Sequence, residues 1–170
     1  MIVATDAKYG IAKEYAIPWR IPADLRFFQK TTTDHTIFMG KNTFCSLPNK
    51  TPLKDRFNIV YTRYPMIYDE FAAKYDNLSF TNDDRVLTSF PPPQGNTIFI
   101  IGGKMIYEKY YPVCDTLWFT KIKKDYDCDM FLDMDMILAE FTEPVEIIED
   151  TVEYTIYKYR RGGASPRTKN

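Results

Sequence analysis

One histidine, three scattered cysteines and the want of any long apolar run exclude several functions for this chain of 170 residues. His35 lies in the polar run Thr31-Thr32-Thr33-Asp34-His35-Thr36, which reads as a loop with a solvated histidine. Nothing near it completes a catalytic triad. Cys45, Cys114 and Cys128 are odd in number and contain no Cys-x-x-Cys pair, so reduced thiols in a cytoplasmic protein are expected, and no zinc. Apolar runs stay near four residues, as in Ile98-Phe99-Ile100-Ile101, far too short to span a bilayer. The first residues, Met1-Ile2-Val3-Ala4-Thr5-Asp6, offer neither a basic region nor a sustained apolar one, so no signal peptide is expected. Formal net charge is −1 with charges well mixed, so neither nucleic acid nor an anionic membrane is an expected partner. Asp125-Tyr126-Asp127-Cys128-Asp129 begins like a calcium loop. It fails at Met130, where the turn glycine belongs, and at Met136, where the last carboxylate belongs. No metal is expected, and acid–base chemistry falls to a carboxylate.

What the chain does have is a core. It is 45% hydrophobic, with 13 Tyr and 12 Phe, enough for one globular domain. Strands are expected at Ile2–Thr5, Thr36–Met39, Arg56–Thr62, Leu78–Phe80, Thr97–Ile101, Thr116–Lys124, Glu143–Ile148 and Thr151–Tyr159. Helices are expected at Ala23–Thr32, Asn42–Leu47, Asp83–Ser89 and Gly103–Tyr111. The alternation implies an α/β fold: a central, predominantly parallel sheet of eight strands, about four flanking helices and a C-terminal antiparallel hairpin. Pro91-Pro92-Pro93-Gln94-Gly95 reads as a stiff surface connection. The domain is expected over 1–161, with a disordered tail at 162–170.

The most informative stretch runs from Ala16 to Phe28. Asp24 is its one carboxylate, set among Ile, Trp, Pro, Leu and Phe. Such surroundings raise a carboxyl pKa unless a partner presents N–H donors. Pro22 suits the first turn of a helix, and Asp24 then lies in that turn, favoured by the helix dipole. Leu25 and Phe28 share a face and are placed to line a pocket. The alternative is a core helix whose Asp merely complements the dipole. Two further turns, Ile101-Gly102-Gly103 and Met39-Gly40-Lys41-Asn42-Thr43, each lead from a strand into a helix, an arrangement open to phosphate. Neither is a Gly-x-Gly-x-x-Gly dinucleotide fingerprint.

Taken in order, these pieces resemble dihydrofolate reductases of the bacterial or phage type over Ile2 to about Tyr159. The resemblance runs through Ile11-Ala12, Pro18-Trp19, Pro22-Ala23-Asp24-Leu25 and Met39-Gly40-Lys41-Asn42-Thr43-Phe44-Cys45-Ser46-Leu47-Pro48. It continues through Leu53 to Arg56, Tyr61-Thr62-Arg63, Ile101-Gly102-Gly103 with Tyr107, Thr120, and Asp127-Cys128-Asp129-Met130-Phe131. It implies reduction of 7,8-dihydrofolate by NADPH, with hydride going to C6 and a proton to N5. Asp24 then matches the active-site acid, Thr120 the threonine supporting it, and Trp19 the residue holding an ordered water. Ile2, Ala4, Leu25, Phe28, Leu47, Leu53 and Ile101 match the substrate pocket, and Arg56 the arginine for the glutamate α-carboxylate. On the residue alone, Arg56 reads as a solvated surface charge.

For the cofactor, the resemblance implies Ala4, Ile11, Gly40, Lys41, Asn42, Thr43, Gly102, Gly103, Lys104, Met105 and Tyr107. It adds Thr62 and Arg63 at the adenosine 2′-phosphate, and a mobile loop over Ala7 to Trp19. Three residues depart from the pattern: Ala12 and Cys128 stand where glycine is frequent, and Lys104 where a small residue is. A monomer binding dihydrofolate and antifolates is implied. A pyrimidine reductase on the same scaffold and a non-catalytic folate- or nucleotide-binding protein are the alternatives.

Overall fold

The computed structural model describes residues 1–88, 95–143 and 145–162. The expected Pro91–Gln94 connection, and the tail after Gly162, lie outside these residues. The chain divides into two compact units, Ile21–Tyr107 and Met1–Arg20 with the chain from Glu108 onward.

The first of these, Ile21–Tyr107, is built on an all-parallel sheet. Its strands are β3 (Thr36–Gly40), β4 (Phe57–Tyr61), β5 (Leu78–Thr81) and β6 (Ile98–Ile100), in the order β5-β4-β3-β6. Ile37, Phe38 and Met39 are fully buried, as a strand covered on both faces requires. From β3 the chain steps outward through β4 to β5, then returns to place β6 on the other side of β3. The order reverses between β3 and β6. In an open parallel sheet, such a reversal leaves a crevice beyond the carboxyl ends of the strands, where ligands bind. Helices α1 (Pro22–Thr32) and α2 (Lys41–Ser46) flank β3 in sequence, and α3 (Asp69–Ala72) precedes β5. α4 (Lys104–Tyr110) follows β6 and carries the chain out of the unit.

The other unit holds a mixed sheet in the order β1-β7-β10-β9: β1 (Ile2–Thr5), β7 (Thr116–Ile122), β9 (Glu146–Asp150) and β10 (Tyr154–Arg160). β1 runs parallel to β7, while β10 is antiparallel to both β7 and β9, giving the expected C-terminal hairpin. A small antiparallel pair, β2 (Gly10–Ala12) with β8 (Met130–Phe131), stands apart from it, and α5 (Met134–Ala139) follows.

The α/β class and all eight expected strands are present, four in the ladder of each unit. Five α-helices occur among the described residues. The helix expected at Asp83–Ser89 is a single 3-10 turn, Asp84–Leu87, capped by the Asp83 carboxylate. His35 is not a freely solvated side chain. It is half-buried, its Nδ1 accepts from the Thr97 amide at 3.3 Å, and its ring lies 5.5 Å from that of Phe99.

Candidate active site

In Ile21–Tyr107, α1 opens as its sequence dictates. Ile21 is extended, Pro22 takes the first position, and Asp24 lies in the first turn with Lys30 in the last. Asp24 is half-buried, Phe28 likewise, and Leu25 is 65% exposed. Leu47, Leu53 and Ile101 are also half-buried, an apolar set left partly uncovered by protein. Tyr107 is deeply buried, and burial first, then the Asp24 charge, hold its phenol well above the usual range. The two side chains are therefore electrostatic neighbours. The phenol stays protonated and can donate at neutral pH.

Arg56 departs from the surface charge that its residue type suggests. It is 9% exposed. Its Nε donates to the Lys54 carbonyl (2.9 Å) and its Nη1 to the Thr32 hydroxyl (3.2 Å). Among the described residues no carboxylate bridges to it, and burial lowers its pKa. The Asp55 charge opposes that fall without bridging to the guanidinium, and a cation withdrawn from water and bridged by no carboxylate is suited to an anionic ligand.

The two glycine turns meet at the β3/β6 reversal. Gly40 N donates to Gly102 O at 2.8 Å. Gly102 has φ +120, and a Cβ there would lie 3.2 Å from the Tyr107 ring. A Cβ on Gly103 would meet Thr43 Oγ1, also at 3.2 Å. Side chains are thus excluded where a ligand's phosphate backbone would approach most closely. Thr43 and Lys104 beside the turns are half-buried, whereas Lys41, Asn42 and Met105 are exposed. At the end of β4, Thr62 is buried with its amide on Thr81 O (2.9 Å), and Arg63 is exposed. The cluster suits a phosphate-bearing cofactor: bare backbone, a hydroxyl and several cations.

In the other unit, Ala4 of β1 sits in register with Thr120 of β7, and Ile2 with Trp118. Ile2 and Thr120 are buried. Trp19 is 8% exposed and packs edge-on against Tyr126, with ring centroids 5.8 Å apart. Ile11 lies in β2, half-buried. Between β2 and Trp19 the chain turns at Glu14 and Tyr15, both with positive φ, closed by reciprocal backbone bonds between Lys13 and Ala16. The Glu14 amide donates to Asp129 Oδ2 at 2.8 Å. Ala12 is part of β2, so its methyl group brings no backbone strain. Cys128 occupies space that Gly10 leaves free: a Cβ on Gly10 would fall 2.3 Å from that of Cys128.

A family model described as dihydrofolate reductase matches residues 1–161. The chain belongs to the dihydrofolate reductase family. Among curated relatives, the dihydrofolate reductase of Ureaplasma parvum is 37% identical over 127 residues, covering 74% of this chain and 76% of that protein. That of Bacillus subtilis is 36% identical over 128 residues, covering 75% and 71%. A solved dihydrofolate reductase from Enterococcus faecalis, complexed with NADP(H) and RAB-propyl, shares the fold at TM-score 0.74 and 23% identity, covering 95% of this chain and 94% of that one.

Within this dihydrofolate reductase family member, four polar residues that sequence reading passed over hold the site segments in place. Thr32 accepts from Arg56. Asn58 and Asn77 each donate to the Arg56 carbonyl. Asp6, fully buried, accepts from the Lys8 and Gly10 amides through Oδ1 and from the Tyr126 amide through Oδ2. Only Asp6 carries a local signal, a carboxylate followed by a tight turn.

Proposed function

We propose that this chain reduces 7,8-dihydrofolate to 5,6,7,8-tetrahydrofolate with NADPH, acting in the cytoplasm as a monomer. Family membership supports the reaction. The observation that carries the substrate is the buried guanidinium of Arg56, bridged by no carboxylate among the described residues and in the same compact unit as Asp24. A folate presents an adjacent amino group and ring N–H at one end and a glutamate α-carboxylate at the other. Asp24 accepts the two donors of the pterin edge, and Arg56 takes the carboxylate. Phe28, Leu47, Leu53 and Ile101, with exposed Leu25, supply the apolar lining between. Trp19 and Thr120 carry the assisting roles that the family likeness gives them.

NADPH, when bound, supplies the hydride that C6 receives. Gly40, Lys41, Asn42, Thr43, Gly102, Gly103, Lys104 and Met105 would hold its pyrophosphate region, with Thr62 and Arg63 at the 2′-phosphate. Tyr107 would face the nicotinamide. The Asp24 carboxylate fixes the orientation of the pterin ring, and its charge polarises the ring toward protonation at N5.

The test is spectrophotometric oxidation of NADPH with dihydrofolate by the purified chain. Turnover with tetrahydrofolate as product is the expected result. Tight dihydrofolate binding without turnover would leave a binding protein, and turnover of a pyrimidine substrate instead would reassign the chain to a related reductase.

A further inference from the structure

Residues 53–56 carry Leu53 and Arg56 into β4 without a ladder of their own. Backbone groups in such a segment need partners, and here two side-chain amides supply them. Leu53 N donates to Asn58 Oδ1 at 2.8 Å. Leu53 O accepts from Asn58 Nδ2 (3.0 Å) and from Asn77 Nδ2 (3.2 Å). Arg56 O accepts from the same two groups, at 2.9 and 3.0 Å. The amides are themselves joined, since Asn77 O accepts from Asn58 N at 2.8 Å and from Asn58 Nδ2 at 3.2 Å.

Both ends of the connection are therefore pinned to one pair of residues. Between them, Asp55 adopts φ +57 and Lys54 O accepts from Arg56 Nε. Asn58 is fully buried, and among side chains only a carboxamide offers an acceptor and two donors at that length. Aspartate would face three carbonyls with no proton to give, and leucine would leave those carbonyls fewer partners. The direction in which Arg56 leaves the backbone is set by these bonds and by Thr32, not by an ion pair.

We propose that Asn58 and Asn77 are positioning residues for substrate binding: they fix the segment 53–56 so that Arg56 is aimed at the glutamate carboxylate of the substrate. The proposal rests on the reading of Arg56 given above.

Steady-state kinetics of the full chain at saturating NADPH test it, using dihydrofolate and a dihydropterin without the aminobenzoylglutamate arm. Asn77→Ala is expected to raise KM for dihydrofolate about three- to tenfold, the weight of a hydrogen bond or two, with kcat within about twofold. KM for the armless pterin should not move. Asn58→Ser should act in the same direction and more strongly. Should that variant fail to fold, half-buried Asn77 decides the matter.

Arg56→Ala is expected to exceed either, and Arg56→Ala with Asn77→Ala should be no worse than Arg56→Ala alone. Equal KM increases for both substrates, or full additivity in the double variant, would overturn the proposal by showing a merely structural role. An Arg56→Ala effect on KM without an Asn77→Ala effect sinks the positioning role and leaves Arg56 as the carboxylate partner. An inert Arg56→Ala removes both.

Discussion

Arg56 Nη1 donates to the Thr32 hydroxyl across 3.2 Å, and that hydroxyl in turn donates to the Phe28 carbonyl at 2.8 Å. A buried cation is thereby tied to the last turn of the helix that carries Asp24 in its first. Thr32→Val keeps the shape and removes both bonds. It should lower stability by about 1–3 kcal/mol and raise KM for dihydrofolate several-fold, read by thermal melting and initial rates. Arg56→Ala should raise that KM much further, by the equivalent of about 2–5 kcal/mol. A wild-type KM in both variants would return Arg56 to a structural role.

Asp24→Asn keeps size and some hydrogen bonding but removes the ionisation. Hydride transfer at neutral pH should fall by about 10²–10⁴. In the wild type the rate should be highest at low pH and decline through one ionisation as pH rises. In the variant that decline should flatten. Single-turnover NADPH oxidation across pH isolates the step from product release. A near-normal rate with an unchanged profile would take Asp24 out of the mechanism.

Arg63 is exposed at the end of β4, next to buried Thr62. A charge-assisted bond to the 2′-phosphate is worth about 1.5–3 kcal/mol, so Arg63→Ala should narrow the preference for NADPH over NADH by about one to two orders of magnitude. Use of NADH should hold steady. Equal losses with the two cofactors would mean that Arg63 supports the fold instead.

Gly10 and Cys128 occupy one space. Gly10→Ala would set a methyl group 2.3 Å from Cys128 Cβ and 3.1 Å from Asp6 Oδ1. A loss of about 1–3 kcal/mol in chemical denaturation is expected, most of it recovered when Cys128→Gly is added. Additive losses would show that the two positions do not compete.

Cys128 should also be chemically quiet. Burial, aided by its hydrogen bond to Asp6, pushes the thiol up to about 11. An unfolded thiol ionises near about 8.5, so the stability gained from keeping it protonated is whole below that pH and lost as pH climbs toward 11. Alkylation followed by mass spectrometry should mark exposed Cys45 first and Cys128 only in alkali or denaturant. The alkaline fall in stability should be smaller in Cys128→Ser. Rapid labelling of Cys128 at pH 7 would contradict its placement.

The larger strands and the chemistry-bearing motifs were legible because each has a local signature. The apolar run before Gly102 marks a strand buried on two faces, and Pro22 followed by Asp24 marks a helix start. β2 and β8 span three and two residues, too few for a period to show. α5 hid inside the failed calcium loop, where Asp133 caps the helix through the Met136 amide at 2.9 Å. Arg56 could not be seen as buried, since its acceptor Thr32 lies 24 residues away. Asn58 and Asn77 were silent for the same reason. Their role is with the backbone of a segment that neither adjoins in a motif.

The parallel pairing of β1 with β7 joins residues more than a hundred positions apart, and the Met1 ammonium reaches the Thr116 carbonyl across a separation of 115. Such contacts close late, because the chain between must first be made and ordered. As the protein emerges from the ribosome, β1 has no β7 to pair with until the second half of the chain is out. Ile2 and Ala4, synthesised well ahead of their partners, must therefore wait for Trp118 and Thr120 before taking up their register.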